Sequence, residues 1–268
     1  QIDVAITVPF SRVAEMKKDP DLTVRMDPST REDHLLINHE HGALAKKEVR
    51  EALDLAIDKK AIVEAATFGL GEVANSYIPK GALYHYADNL QRPYDPEKAK
   101  QMLKAAGAED LTLNYIVNAG KETDEQIAVL LQQQLAKSGV TANLQKVDSS
   151  QSWDMLIAGD YDISVMYWTN DILDPDQKTT FVLGHDTNMN YMTRYKNDKV
   201  KDLVAAARLE TDPAKREAMY VELQKMAKAD VNWIDLYYSP YINVMRKNVS
   251  NFYQNPLGRF FLEDTVKN

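Results

Sequence analysis

The residue types best suited to chemistry gather in Tyr167-Trp168-Thr169-Asn170-Asp171-Ile172-Leu173-Asp174-Pro175-Asp176, where two aromatics end an apolar run and carboxylates follow. An aromatic wall beside a carboxylate suits an organic cation or a primary ammonium. Each member also has a structural use. Asp174 before Pro175 reads as a helix N-cap, Trp168 can be core, and Asp171 can cap a turn. For Asp171, binding and turn chemistry are equally open on the residues themselves. The enzymatic alternative is a paired-carboxylate hydrolase using Asp171 with Asp174 or Asp176. Residues so close in one loop do not readily set two carboxylates on opposite faces of a substrate, and nothing nearby raises the pKa of either.

Other signatures are sparse. No G-x-S-x-G, P-loop, G-x-G-x-x-G or H-E-x-x-H pattern occurs, so no catalytic residue, metal ligand set or cofactor site is assigned. His39-Glu40-His41 comes nearest to a metal motif, but it falls in a connection and lacks a third partner. Tight sites need three or four ligands in fixed geometry, which favours a solvated loop. Asn248-Val249-Ser250 matches the glycosylation acceptor pattern, which is short enough to arise by chance.

Helices announce themselves by punctuation. Asp95-Pro96, Asp174-Pro175 and Asp212-Pro213 each put a capping carboxylate before a proline whose missing N–H goes unpaired in a first turn anyway. After Asp95, the set Ala99, Met102, Leu103 and Ala106 keeps the helical period and Gly107 offers a left-handed stop. After Asp212, Met219, Leu223 and Met226 carry a longer helix to about 230. Residues 111–117 alternate as a strand. Ile127, Leu130, Leu131 and Leu135 mark an amphipathic helix ended by Gly139, and 140–147 resumes strand alternation. This is a βαβ unit with parallel strands and an expected right-handed crossover.

A short helix over 153–158 leads through Gly159-Asp160 into 161–168, apolar enough to be a central strand. Toward the start, strands are expected over 2–8, 22–26 and 34–38, with a helix near 11–17 and another beginning near Ala45. Toward the end, 233–247 is an extended run broken by Pro240. The expected class is α/β, a mixed sheet with helices packed on it, with the two ends of the chain joining in a second sub-domain. No repeat or low-complexity tract interrupts it.

Composition narrows the class further. The 268 residues are 44% hydrophobic and 27% charged, with a formal net charge of −8. A chain of this length closes a core without disulfide or metal. The apolar runs fall far short of the roughly 20 residues of a membrane span, and the basic residues are scattered, so neither a membrane span nor a nucleic-acid surface is expected. The absence of Cys excludes a thiol nucleophile and a Cys-ligated metal. Gln1-Ile2-Asp3-Val4-Ala5-Ile6 shows neither an initiator Met nor a signal-peptide pattern, so the chain reads as cut before it starts.

Glu48-Val49-Arg50-Glu51-Ala52-Leu53-Asp54-Leu55-Ala56-Ile57-Asp58-Lys59-Lys60-Ala61-Ile62 closely resembles the V-R-x-A-L-x-x-A-I-D-x-x-x-I stretch of extracellular family 5, the solute-binding proteins of dipeptide, oligopeptide and nickel ABC transporters. Tyr94-Asp95-Pro96-Glu97-Lys98-Ala99 with Gly107 resembles its Y-D-P-x-K-A…A-G. Gly159-Asp160-Tyr161-Asp162, then Trp168-Thr169-Asn170-Asp171 and Asp174-Pro175, resembles its G-x-Y-D…W-x-x-D…D-P. Thr211-Asp212-Pro213-Ala214-Lys215-Arg216 resembles its T-D-P-x-x-R. The likeness spans about 33–247. Lys201 departs from it, since many members carry Asp there, which puts any role of that acid in doubt.

The resemblance implies a periplasmic binding protein-like fold (type II, cluster C). Residues 41–235 would form a complete second lobe, and 1–40 and 236–268 would be remnants of the first lobe and the hinge strands, with hinges near 35–42 and 234–243. The N-terminal half of a usual member would be missing. It further implies a monomeric, periplasmic or lipid-anchored extracellular protein, exported with a signal peptide in its precursor, that is not an enzyme. Such a protein closes its lobes on a peptide or peptide-like solute and delivers it to an ABC permease and, through that, its ATPase. Asp171 would take the ligand's α-amino group, with Trp168 shaping the wall and Tyr167 and Asn170 beside it. The competing readings are a nickel-chelate, opine or sugar-conjugate cargo, the effector domain of a regulator, and the hydrolase above.

Overall fold

In the computed structural model, which describes residues 2–184 and 188–268, the chain opens with Val4–Ala5 (β1), Phe10–Met16 (α1) and Leu22–Asp27 (β2), then enters Glu32–Ile37 (β3). A 3-10 turn over Gly42–Ala45 leads to Lys47–Leu55 (α2), Lys59–Thr67 (α3) and Glu72–Val73 (β4). The middle follows as Pro96–Ala105 (α4), Thr112–Asn118 (β5), Glu122–Lys137 (α5), Thr141–Val147 (β6), Ser149–Ala158 (α6) and Ile163–Trp168 (β7). Then come Asp176–Leu183 (α7), Asn188–Thr193 (α8), Asp198–Leu209 (α9) and Pro213–Asp230 (α10). Trp233–Tyr238 (β8) and Tyr241–Arg246 (β9) precede the short strands Val249–Ser250 (β10), Tyr253–Gln254 (β11), Phe260–Phe261 (β12) and Val266–Lys267 (β13).

The main sheet has six strands in the order β4-β8-β3-β7-β5-β6. The βαβ unit is present. β5 and β6 run parallel, from Thr112 opposite Thr141 to Asn118 opposite Val147, and β7 joins the other side of β5, also parallel. β3 is antiparallel to both β7 and β8, which makes the sheet mixed. As its composition requires, β7 is an interior strand.

The inner strands β3, β5 and β8 are buried on both faces, and side-chain alternation sorts the core accordingly. Leu35, Ile37, Leu113, Tyr115, Val117, Ile163 and Val165 pack with apolar residues of α2 to α5. Leu36, Ile116 and Trp233 pack with Leu156, Val182, Val200, Tyr220 and Leu223 from the other helices. β3 belongs to this sheet, so the sheet draws on residues below 41 and above 235. A separate three-stranded sheet, β1-β9-β2, holds its own small core of Val8, Val13, Ile242 and Val244. The chain passes between the two sheets at 28–31 and again at 239–240, the second passage being the break expected at Pro240. The first lies upstream of the 35–42 stretch expected as a hinge, because Leu35, Leu36 and Ile37 are sealed inside the main sheet.

Two of the three Asp-Pro pairs behave as their chemistry predicts. Asp95 accepts the Lys98 N–H at 2.9 Å ahead of α4, and Asp212 accepts those of Ala214 and Lys215 at 3.0 Å ahead of α10. The third differs: α7 begins at Asp176 with Pro175 in the N-cap position. Asp174 still accepts the Asp176 N–H, but both its oxygens are held by the Arg216 guanidinium at 2.8 and 2.9 Å. A bidentate charged partner is stronger than a cap bond. Asp95→Ala should lower stability by about 1 kcal/mol, the usual worth of a cap. The check is a matching fall in the urea midpoint; an unchanged midpoint would show the cap idle.

Other departures are local. The strand expected over 2–8 shrinks to Val4–Ala5, since Thr7 takes a left-handed φ of 53° before Pro9. The helix expected from 153 begins at Ser149, because Asp148 caps it through the N–H groups of Ser150 and Gln151. It ends at Gly159 with φ +86°, which a side chain adopts only under strain, so the G-x-Y-D glycine has a backbone reason.

Candidate functional site

The four strands β5, β6, β7 and β8 share one direction, so their carboxyl ends lie along one edge of the sheet. Open α/β sheets bind ligands outside such an edge. A cleft of about 440 Å³ opens there, lined by Asn118 from the end of β5, Lys121 just before α5, α6, and the end of β7 through Asp171. That volume suits a small organic ligand.

Three of the four expected site residues line this cleft: Tyr167, Trp168 and Asp171. Tyr167 is 48% exposed and lies under the Arg31 guanidinium, 4.0 Å from its ring centroid. Arg31 is itself clamped on Asp33 at 2.8 and 2.7 Å, which fixes the Tyr167 ring in place. Trp168 packs tilted on Phe181 at 5.7 Å, and its indole N–H is buried without an acceptor among the described residues. Asp171 is exposed and accepts one bond from the Gln177 amide at 2.8 Å, which leaves its remaining acceptor positions open. The Arg259 guanidinium reaches its backbone carbonyl at 3.4 Å.

Asn170 is elsewhere. It is buried and not part of the lining, and its backbone N–H donates to Thr30 Oγ1 at 3.1 Å. It therefore ties the cleft loop to the first passage between the sheets.

Thr169 of the same loop and residues not singled out in the sequence complete the lining: Asn118, Lys121, Ser149, Ser152, Trp153, Leu156 and Met166. A signal for some of them was present. Ser149, Ser152, Trp153 and Leu156 recur at helical spacing on one face of α6, and Lys121 follows a strand whose carboxyl end faces the cleft. Asn118 donates to Asp124 at 3.1 Å, and burial pushes the Asp124 carboxyl above its ordinary range.

The loop's other carboxylates are committed. Hydrogen bonds from Arg216 hold Asp174 below the usual carboxylate range, the opposite of what a general acid needs. Asp176 faces Arg208 at 3.4 Å. The His39-Glu40-His41 side chains diverge. His39 Nε2 contacts the Asn232 carbonyl at 2.9 Å, and burial, with the charge of Arg50, lowers its pKa to about 3. His41 pairs with Asp162, and Glu40 with Lys196 at 2.6 Å. Among the described residues no group of three His, Asp or Glu is gathered to hold a metal, and no helix is long and apolar enough to cross a membrane.

The motif residues have structural partners of their own. Arg50 donates to the carbonyls of Leu44, Ala45, Asp230 and Val231, bracing α2 against the end of α10. Arg216 joins the T-D-P-x-x-R motif to Asp174 of the cleft loop.

Comparison with known proteins accounts for these motifs together. The chain is 28% identical over 264 residues to a di/tripeptide-binding protein of Pseudomonas aeruginosa, covering 96% of this chain and 49% of that protein. It is 29% identical over 254 residues to heme-binding protein A of Haemophilus influenzae, covering 92% and 46%. Its fold matches a crystal structure of a dipeptide-binding protein from Pseudoalteromonas in complex with Met-Leu, with a TM-score of 0.88 and 21% identity over 100% of this chain and 54% of that one. The expected periplasmic binding protein fold is thus present, and the chain spans about half the length of the relatives it matches. The family model for the bacterial extracellular solute-binding proteins, family 5 (middle), matches residues 1–191. Since that match runs from β1 through the cleft loop, the chain belongs to the family 5 bacterial extracellular solute-binding proteins.

Proposed function

We propose that this chain carries one lobe of a two-lobed binding protein that captures a peptide or peptide-like zwitterion and presents it to the permease of an ABC importer. The observation that carries the reading is one cleft lined by Asp171 and Lys121 together with the aromatic residues Tyr167, Trp168 and Trp153. A free peptide has a cationic and an anionic end, and the two groups offer each a partner of opposite charge. Asp171 takes the ammonium, Lys121 faces the carboxylate, and Trp168 and Tyr167 form walls. Asn170 acts indirectly, by holding the loop to Thr30.

The three-stranded sheet, with the short strands that follow it, belongs on this reading to the first lobe, as remnants from 1–40 and 236–268. Residues 41–235 form the body of the second lobe, which β3 and the end of β8 join from the flanking ranges. The two chain passages at 28–31 and 239–240 then act as the hinge, and closure excludes water from the cleft. The protein works outside the cytoplasm, periplasmic or lipid-anchored, as a monomer, and binds without turning its ligand over. The committed state of Asp174 and Asp176 supports that last point.

Calorimetry on the full-length two-lobed protein tests the assignment. Free dipeptides and tripeptides should bind, and either N-acetylation of the peptide or Asp171→Asn should weaken binding at least about tenfold, the worth of a charge-assisted hydrogen bond of roughly 1.5–3 kcal/mol. Applied together the two changes should cost little more than one, since they delete the same interaction. Equal affinity for free and acetylated peptides sinks the role of Asp171, and no peptide binding at all sinks the proposed cargo.

A further inference from the structure

We infer that Trp153 is the specificity-determining residue of the cleft and that it selects a peptide bearing a large apolar side chain, aromatic above all. The inference rests on the proposed peptide-binding reading and specifies its substrate class.

The argument starts from an unfavourable exposure. Trp233 is 2% exposed, and Trp168 packs on Phe181, whereas Trp153 is 47% exposed and has no ring partner among the described residues. A bare indole forfeits the burial that aromatic side chains dominate energetically, so its position needs a reason. α6 supplies one. Ser149, Ser152, Trp153 and Leu156 stand at i, i+3, i+4 and i+7, and all four line the cleft. Two small serines leave the indole uncovered, while the fully buried Leu156 anchors α6 from behind and the half-buried Met166 of β7 adds apolar wall.

Charge completes the selection. Asp171 and Lys121 are the ionisable side chains of the lining other than Tyr167, and in the proposed reading both are engaged by the peptide's termini. A charged ligand side chain would meet the indole and Met166 with no counter-ion, at the cost of desolvation. An aromatic or long aliphatic side chain would cover the exposed indole and displace water from both surfaces.

The test is competition binding on the full-length two-lobed protein with Phe-Ala, Ala-Ala and Asp-Ala, comparing wild type, Trp153→Ala and Trp153→Phe. Wild type should prefer Phe-Ala to Ala-Ala by at least about tenfold, and Asp-Ala should bind weakest. Trp153→Ala should reduce the Phe-Ala preference to under about threefold by costing Phe-Ala more affinity than Ala-Ala, and Trp153→Phe should retain most of the preference. Circular dichroism checks that the variants fold, as expected for a substitution at an exposed side chain.

Three results separate the possible failures. If wild type binds none of the three dipeptides and no tripeptide either, the peptide reading itself fails. If wild type binds them without preference for Phe-Ala, or Trp153→Ala keeps that preference, this inference fails while the peptide reading stands. If Trp153→Ala weakens all three peptides by one factor, Trp153 serves closure of the cleft rather than choice of ligand, and the inference is overturned.

Discussion

Replacing Lys178 with Met should destabilise the protein by about 3–5 kcal/mol, the cost of leaving one member of a buried ion pair without its partner. Lys178 is 1% exposed, and its Nζ lies 3.2 Å from Oε2 of Glu32, which is fully buried. Burial pushes the Lys178 pKa down, and the nearby Glu32 carboxylate opposes that shift. The same Glu32 oxygen meets His34 Nδ1 at 2.8 Å, and the His34 ring stacks on Trp233 at 3.6 Å. Urea unfolding at neutral pH measures the loss, and a change below about 1 kcal/mol would show that the pair is dispensable. The double variant Glu32→Gln with Lys178→Met should recover much of it, because no buried charge is then left alone. The effect should also reach the cleft. Lys178 lies in α7, the helix that follows the Asp171 loop, while Glu32 opens β3 just after the 28–31 passage. On the proposed function, a Lys178→Met full-length protein that remains folded should therefore bind peptide more weakly than wild type.

The second large effect is expected at Asp54. Its carboxylate contacts Lys59 at 2.5 Å and Arg92 at 3.2 Å, and Arg92 also reaches Glu51 at 3.1 Å. Asp54→Asn leaves Lys59 buried beside a neutral amide, again a loss of about 3–5 kcal/mol. This site has a pH signature. Burial alone would raise the Asp54 pKa, but the charges of Lys59 and Lys228 overrule it and hold the group at about 2. A depressed carboxylate pKa adds stability that is present above the unfolded value near 4 and is lost as pH falls through the folded value. Asp54 should thus account for roughly 2 kcal/mol of the stability lost between pH 5 and pH 2. The Asn variant should show a correspondingly shallower decline over that window. If both proteins decline in parallel, the ion pair does not stabilise the fold in the manner its geometry indicates.

Legibility in the sequence followed the range of the interaction. The caps at Asp95 and Asp212 and the strand alternation through Leu113, Tyr115 and Val117 were readable because each depends on neighbours a few residues away. Asp174 misled for the same reason. Next to Pro175 it reads as a cap, but its dominant partner is Arg216, 42 residues onward. Asn170 sits beside Asp171 in sequence and faces inward, while Lys121 and Trp153, distant in sequence, share the cleft with Asp171.

From residue order alone follow the α/β class, the βαβ unit, the break at Pro240 and, through its ordered motifs, the family. These rest on local periodicity, on caps, and on motif side chains such as Arg50 and Arg216, which brace this fold. The tertiary structure alone decided which side chains share a cleft and which buried charges pair. Strand order brings the ends of β5, β6 and β7 to one edge, and only then do Lys121, Trp153 and Asp171 line the same 440 Å³. Glu32 meets Lys178 across 146 residues for the same reason. Such meetings are set by how strands pair and helices pack over the whole chain, and no window of neighbouring residues encodes them.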